Sequence, residues 1–117
     1  MSRVTSILQR QNERKIKLQA SLDSIVAQLK PLGALRIILF GSFAKDIVDI
    51  NSDLDLLVIM PPTRAGKEWL ALIYDNIERR VASDILVFNQ NEFNAKVQRS
   101  VFLQDILDSG KLIYAKT

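Results

Sequence analysis

Apolar residues along this chain follow two kinds of pattern, and each switch between them marks an element. From residue 2 to residue 30, Val4, Leu8, Leu18, Leu22, Ile25 and Leu29 fall on alternating four- and three-residue steps, with Gln11 and Lys15 filling the two middle positions of the seam. That spacing predicts one long amphipathic helix, stopped by Pro31 and Gly33. Its second half is read as packing on a sheet. Its first half, more polar at the seam, is read as fraying or as packing on a partner chain. Unbroken apolar runs then predict buried strands at 35–40 and 54–60, the second ended by Pro61-Pro62 and a polar loop over 63–67. Residues 68–81 present a face of Trp69, Leu70, Ile73, Ile77 and Val81, which predicts a helix whose last turn carries Arg79 and Arg80. Trp69 is read as a core or interface residue. A third strand is predicted over 83–88, then a helix over 92–99 capped by Asn91. A helix over 101–107 stopped by Gly110 and a short edge strand over 111–114 complete the chain. These elements predict an α/β fold, a small mixed β-sheet flanked by helices. They also predict a single domain over 1–117, with a helix over 1–30 ahead of a core at 32–114.

Composition narrows the chemistry more than the fold. The 117 residues suffice for one core that buries roughly two-thirds of the unfolded surface. A net charge of +3 is too small to point to nucleic acid or a membrane as the main partner. With no Cys and no His, thiolate catalysis, disulfides, zinc sites and a histidine base are excluded. Carboxylates, hydroxyls, Lys, Arg and hard metal ions remain. The polar N-terminus does not read as a signal peptide and no apolar run approaches membrane-spanning length, so a cytoplasmic location is expected.

The chemistry concentrates between the first two strands. Strand 35–40 delivers Gly41-Ser42; ten residues later come Asp53 and Asp55, at the start of strand 54–60. Two residues apart on a strand, both carboxylates project from one face, where each raises the other's pKa unless a cation sits between them. Ser42 is a favoured helix N-cap, and residues 43–46 suit a short helical turn whose free N–H groups would face a phosphate. Glycine at 41 lets the backbone approach that phosphate closely, and Lys45 adds a positive charge nearby. Asn51-Ser52 reads as a tight turn. Asp84 is the one acid of the third strand. Alone it would read as solvent-facing or as capping a turn; beside the Asp pair it reads as a third carboxylate, placed there if the third strand lies against the second.

Gly41-Ser42-Phe43-Ala44-Lys45, then Ser52-Asp53-Leu54-Asp55-Leu56-Leu57-Val58, the later Asp84 and the closing Gly110-Lys111-Leu112-Ile113-Tyr114 resemble the nucleotidyltransferase superfamily that includes DNA polymerase beta. The resemblance is strongest to its minimal nucleotidyltransferase branch, whose members read GSxAR(G)…SD(I/L)DLLV, and it runs from about Leu32 to Tyr114. Asp46 departs from the pattern where glycine is frequent, adding negative charge near the phosphate site. The resemblance implies a polymerase beta-like fold and transfer of a nucleoside monophosphate, AMP from ATP, to a hydroxyl. It implies two Mg2+ ions held by Asp53, Asp55 and Asp84, with Asp84 also serving as base, and outer phosphates held by Gly41, Ser42 and Lys45. Free-standing members of this size resemble antitoxins that adenylylate a tyrosine on a separate helical HEPN toxin, which implies such a partner. Transfer to a small molecule, as in aminoglycoside-modifying relatives, and a non-catalytic toxin-masking role are the alternatives, and a homo-oligomer stays open.

Overall fold

The computed structural model describes residues 3–48 and 53–117. The expected turn at Asn51-Ser52 and the side chain of Val4 lie outside what it describes. Helix α1 (Arg3–Leu32) opens the chain, followed by strand β1 (Arg36–Phe40), a single 3-10 turn (Phe43–Lys45) and strand β2 (Leu54–Met60). Helix α2 (Gly66–Asn76), strand β3 (Ser83–Asn89), helices α3 (Gln90–Val97) and α4 (Val101–Ser109) and strand β4 (Lys111–Ala115) complete it. The strands form one mixed sheet in the order β3-β2-β1-β4, with β2 and β3 parallel and the other two pairs antiparallel. The expected α/β class and the four strand positions are both met.

Alternation along the strands splits the core into two. Leu54, Leu56, Val58 and Met60 of β2, with Ile37 and Leu39 of β1, pack against Leu18, Leu22, Ile25 and Leu29 of α1 and Trp69 and Ile73 of α2. Leu57 and Ile59, with Ile38, face the other way onto Phe93 of α3 and Leu103 and Ile106 of α4. A sheet covered on both faces explains why the strands read as unbroken apolar runs rather than alternating ones. Trp69 is buried, and its Nε1–H donates to the Pro61 carbonyl at 3.0 Å, so it serves the core as expected.

Several boundaries differ from the sequence reading, each for a physical reason. Helix α1 runs through Pro31 to Leu32 before Gly33 turns the chain at φ +107°. A proline in the last turn removes one backbone donor and has almost no helix beyond it to kink. Helix α2 covers 66–76, not 68–81. Ile77 leaves the helix in extended backbone yet stays in the core, and Glu78 is drawn onto α1. There the Gln28 amide donates to the Glu78 carbonyl (3.0 Å) and accepts from its N–H (2.8 Å). Arg79 and Arg80 therefore sit in the loop before β3, not in a helical turn. Helix α3 starts two residues early because Asn89, not Asn91, caps it. Asn89 Oδ1 accepts from the Glu92 N–H and Glu92 Oε1 accepts from the Asn89 N–H, both at 2.8 Å, a reciprocal capping box. Helix α4 extends to Ser109, and Gly110 stops it as expected.

Among the described residues the projecting half of α1 meets no core. Leu18 is the first buried one, and Ile7, Leu8 and Ile16 are half or more exposed. Thirty residues make a helix of about 45 Å, which accounts for the molecule's 55 × 30 × 24 Å extents. No helix among the described residues is long and apolar enough to cross a membrane.

Candidate active site

The sheet brings the sequence-flagged acids into one row. β1 pairs with β2 so that Phe40 stands opposite Asp55, and the parallel pairing of β2 with β3 puts Asp55 opposite Asp84. Phe40, Asp55 and Asp84 thus cross three strands side by side, on the face that carries Ile38, Leu57 and Leu86 into the α3–α4 core. Asp53 precedes β2 by one residue and is half-buried, and the Leu54 N–H donates to the Ala82 carbonyl at 3.2 Å, which fixes the start of β2 against the start of β3. Asp84 is exposed.

Like charges directly opposite on neighbouring strands destabilise a sheet. Burial first, then the charges of Asp84 and Asp53, push the Asp55 carboxyl above its ordinary value. Among the described residues no Lys or Arg ion-pairs with any of the three; an ion pair does form elsewhere, between Lys15 and Asp46. The acids make a row and not a closed cage: among the described residues no three His, Cys, Asp or Glu stand close enough together to surround one ion. The donor set is nonetheless all hard carboxylate oxygen, without an ion pair to Lys or Arg among the described residues, and suits a divalent ion such as magnesium.

Gly41 is shaped by Asp55. Its φ is +77°, and a Cβ there would overlap Asp55 Oδ2, so the turn after β1 can pass the carboxylate only without a side chain. Ser42 follows at the mouth of the 3-10 turn, but its hydroxyl does not cap that turn as the sequence suggests. Its carbonyl accepts from the Lys45 and Ile47 N–H groups, both at 3.0 Å, while the side chain is exposed beside the acids' end of β1. Lys45 is also exposed, on the last residue of the turn. Asp46 takes left-handed backbone at φ +61°, a conformation that explains glycine's frequency at this place in the pattern, and its carboxylate meets Lys15 Nζ at 2.9 Å. The pair neutralises the added charge that the sequence places near the turn.

Two hollows open at the acids and share Tyr74 and Asp84. One, of about 570 Å³, is lined by Asp53, Arg79, Arg80 and Ser83 besides those two. The other, of about 360 Å³, is lined by Phe40, Asp55, Leu86 and Phe102 besides the same two. Arg79 is held in place: its Nη1 donates to the Ser83 carbonyl at 3.1 Å, and its guanidinium lies 4.1 Å over the Tyr74 ring. Sequence reasoning gave no site role to Tyr74, Arg79, Arg80, Phe40 or Phe102. The first three join the site because α2 ends early, and the last two because of strand register and the seating of α4.

The family described as Polymerase beta, Nucleotidyltransferase matches residues 24–117. Fold and site together define a nucleotidyltransferase domain. The chain belongs to the polymerase beta nucleotidyltransferase family, whose general chemistry is nucleotidyl transfer. No curated protein and no solved structure matches it.

Proposed function

We propose that this chain moves AMP from ATP to a hydroxyl, the acceptor being a tyrosine on a helical HEPN-type partner, so that it acts as an antitoxin. The observation that carries the catalytic reading is the register itself: Asp55 faces Asp84 across β2 and β3, next to a glycine whose missing side chain makes room for the carboxylate. A fold that keeps like charges opposed, with no ion pair to them among the described residues, is tolerating a cost that bound ligand can offset. The support for the acceptor is the resemblance to free-standing minimal nucleotidyltransferases, together with an α1 whose first half leaves Ile7, Leu8 and Ile16 uncovered.

In this reading Asp53, Asp55 and Asp84 would hold magnesium, which when bound neutralises triphosphate charge and favours an in-line displacement. The Gly41–Ser42 turn supplies backbone N–H groups and a hydroxyl to the outer phosphates, and Lys45 adds a point charge. Asp84, exposed at the rim shared by both hollows, is placed to accept the acceptor's proton as the new phosphoester bond forms and pyrophosphate leaves. With no histidine in the chain, a carboxylate is the base of suitable pKa.

The test incubates the protein with each labelled nucleoside triphosphate, magnesium and the product of the neighbouring gene, then locates the label. Label from ATP on a tyrosine of that product supports the full reading. Label on a small molecule moves the acceptor, and no transfer at all from the intact chain defeats the catalytic reading in favour of toxin masking.

A further inference from the structure

The hollow lined by Asp55 and Asp84 also has walls that neither the phosphate turn nor proton transfer uses. These are Phe40, Tyr74, Ile85, Leu86 and Phe102, and the volume of about 360 Å³ lies in the range of small-ligand sites. Phe102 is 56% exposed, in the first turn of α4, with Val101 beside it 81% exposed. A ring left more than half in water contributes little to the core. Yet it is not loose: Phe102 meets Phe40 edge-to-face, with ring centroids 6.0 Å apart and planes at 88°. That contact favours one orientation of Phe102, and Phe40 stands in the row opposite Asp55. An adjoining hollow of about 480 Å³ shares Leu86 and Phe102 and carries Lys96 and Arg99 on its rim, so the apolar floor continues away from the acids towards cationic groups.

We propose that this hollow is a subsite for a planar aromatic ring, with Phe102 as the wall it stacks on and Asp84 at the rim where the ring's substituent meets the chemistry. Three of its walls are aromatic, and aromatic faces favour a flat ring over an aliphatic chain of similar area. Two sources supply such a ring, the nucleobase of the triphosphate and the aryl side chain of the acceptor. The delivery of either to the acids rests on the nucleotidyltransferase reading, whereas the ring subsite itself does not.

The experiment therefore separates ring from charge. Adenosine and N-acetyltyrosinamide are ring probes without phosphate, and inorganic tripolyphosphate with magnesium is a charge probe without a ring. Binding of each is measured by saturation-transfer NMR and calorimetry to wild type, Phe102→Ala and Phe102→Trp. Thermal melts confirm that both variants fold, which the exposure of Phe102 favours. The expected result is that at least one ring probe binds wild type, weakens about five-fold or more in Phe102→Ala and recovers in Phe102→Trp, while tripolyphosphate binding is unmoved. Adenosine responding alone assigns the hollow to the nucleobase, and N-acetyltyrosinamide alone assigns it to the acceptor. A wild type that binds neither ring probe, or ring binding indifferent to Phe102→Ala, overturns the subsite. Failure of tripolyphosphate to bind wild type would instead count against the nucleotidyltransferase reading and leave the ring result standing.

Discussion

At Gly41 the backbone turns with φ +77° and passes so close to Asp55 that any Cβ would overlap its Oδ2. Gly41→Ala should therefore both strain the turn and push the carboxylate aside. The expectation is a loss of about 1–2 kcal/mol in a denaturant titration, with transfer activity falling further than the folded fraction does. Asp55→Asn should behave in the opposite way. It removes one of three opposed charges at nearly constant volume, so in magnesium-free buffer the variant should melt at or above wild type. The gain should be on the order of 1 kcal/mol or less, since Asp55 is only partly buried and solvent screens the repulsion. Transfer should be abolished. A variant that melts well below wild type would mean that Asp55 makes structural contacts and would remove the main support for the ligand site. The pairing of Asp53 with Asp55 was legible from period-two spacing alone. Asp84 could be placed beside them only by supposing that the third strand lies next to the second, because a parallel register is set by packing between distant segments and leaves no local mark in the chain.

Helix α1 and the turn after β1 are joined by one ion pair, Lys15 to Asp46, and its pH dependence is predictable in sign. Hydrogen bonding and attraction from Lys15 hold the Asp46 carboxyl below its ordinary value. The stabilisation is therefore present above the unfolded value, about 3.9, and is lost as pH falls through the lower folded value. Denaturant midpoints of wild type and Asp46→Asn should differ slightly near neutrality and converge in strong acid. A gap that persists there would assign Asp46 a role other than pairing. The two halves of α1 should respond differently to substitution. Ile25→Ala, at a fully buried site, should cost about 2–5 kcal/mol, whereas Ile7→Ser, Leu8→Ser and Ile16→Ser should each stay within about 0.5 kcal/mol. If that exposed stripe meets a partner, the three changes together should weaken the complex in light scattering without moving the chain's own midpoint. The early end of α2 was not legible, since Ile77 and Val81 continue the helical spacing. What stops the helix is Gln28, far back in α1, binding the Glu78 backbone. Asn89, by contrast, stood three residues before Glu92 in plain capping-box spacing.

Across the whole molecule the acids and α1 lie on different sides of the sheet. Asp55 faces the α3–α4 layer, while α1 packs on the layer it shares with α2. Basic charge is concentrated in the first half of α1, where Arg3, Arg10, Arg14, Lys15 and Lys17 stand against one acid, Glu13, so that the remainder of a chain with net charge +3 is close to neutral. Binding at the acids should stabilise the fold as one unit. Magnesium with a triphosphate should raise the wild-type melting midpoint, by about 2.7 kcal/mol of stability at a hundredfold excess over Kd, and should leave Asp55→Asn nearly unmoved. An equal rise in both would place the ligand elsewhere. The family match over 24–117 leaves the whole projecting half of α1 outside it, in line with a segment that supplies no buried core position among the described residues.

The pairing of β1 with β4 also sets an order on synthesis. β1 is an interior strand in space, carrying Ile37, Ile38 and Leu39, but one of its two neighbours is the last strand of the sheet, and the Lys116 N–H still donates to the Leu35 carbonyl at 2.8 Å. While a ribosome is making the middle of the chain, β1 and β2 can already pair, yet the far edge of β1 stays open until residues 111–115 emerge. An apolar strand with an open edge is a template for another nascent chain. A premature stop ahead of Lys111 should therefore do more than lose an edge strand: it should release a nearly complete domain with a sticky side, recovered in the insoluble fraction of a lysate while the full chain stays in the supernatant.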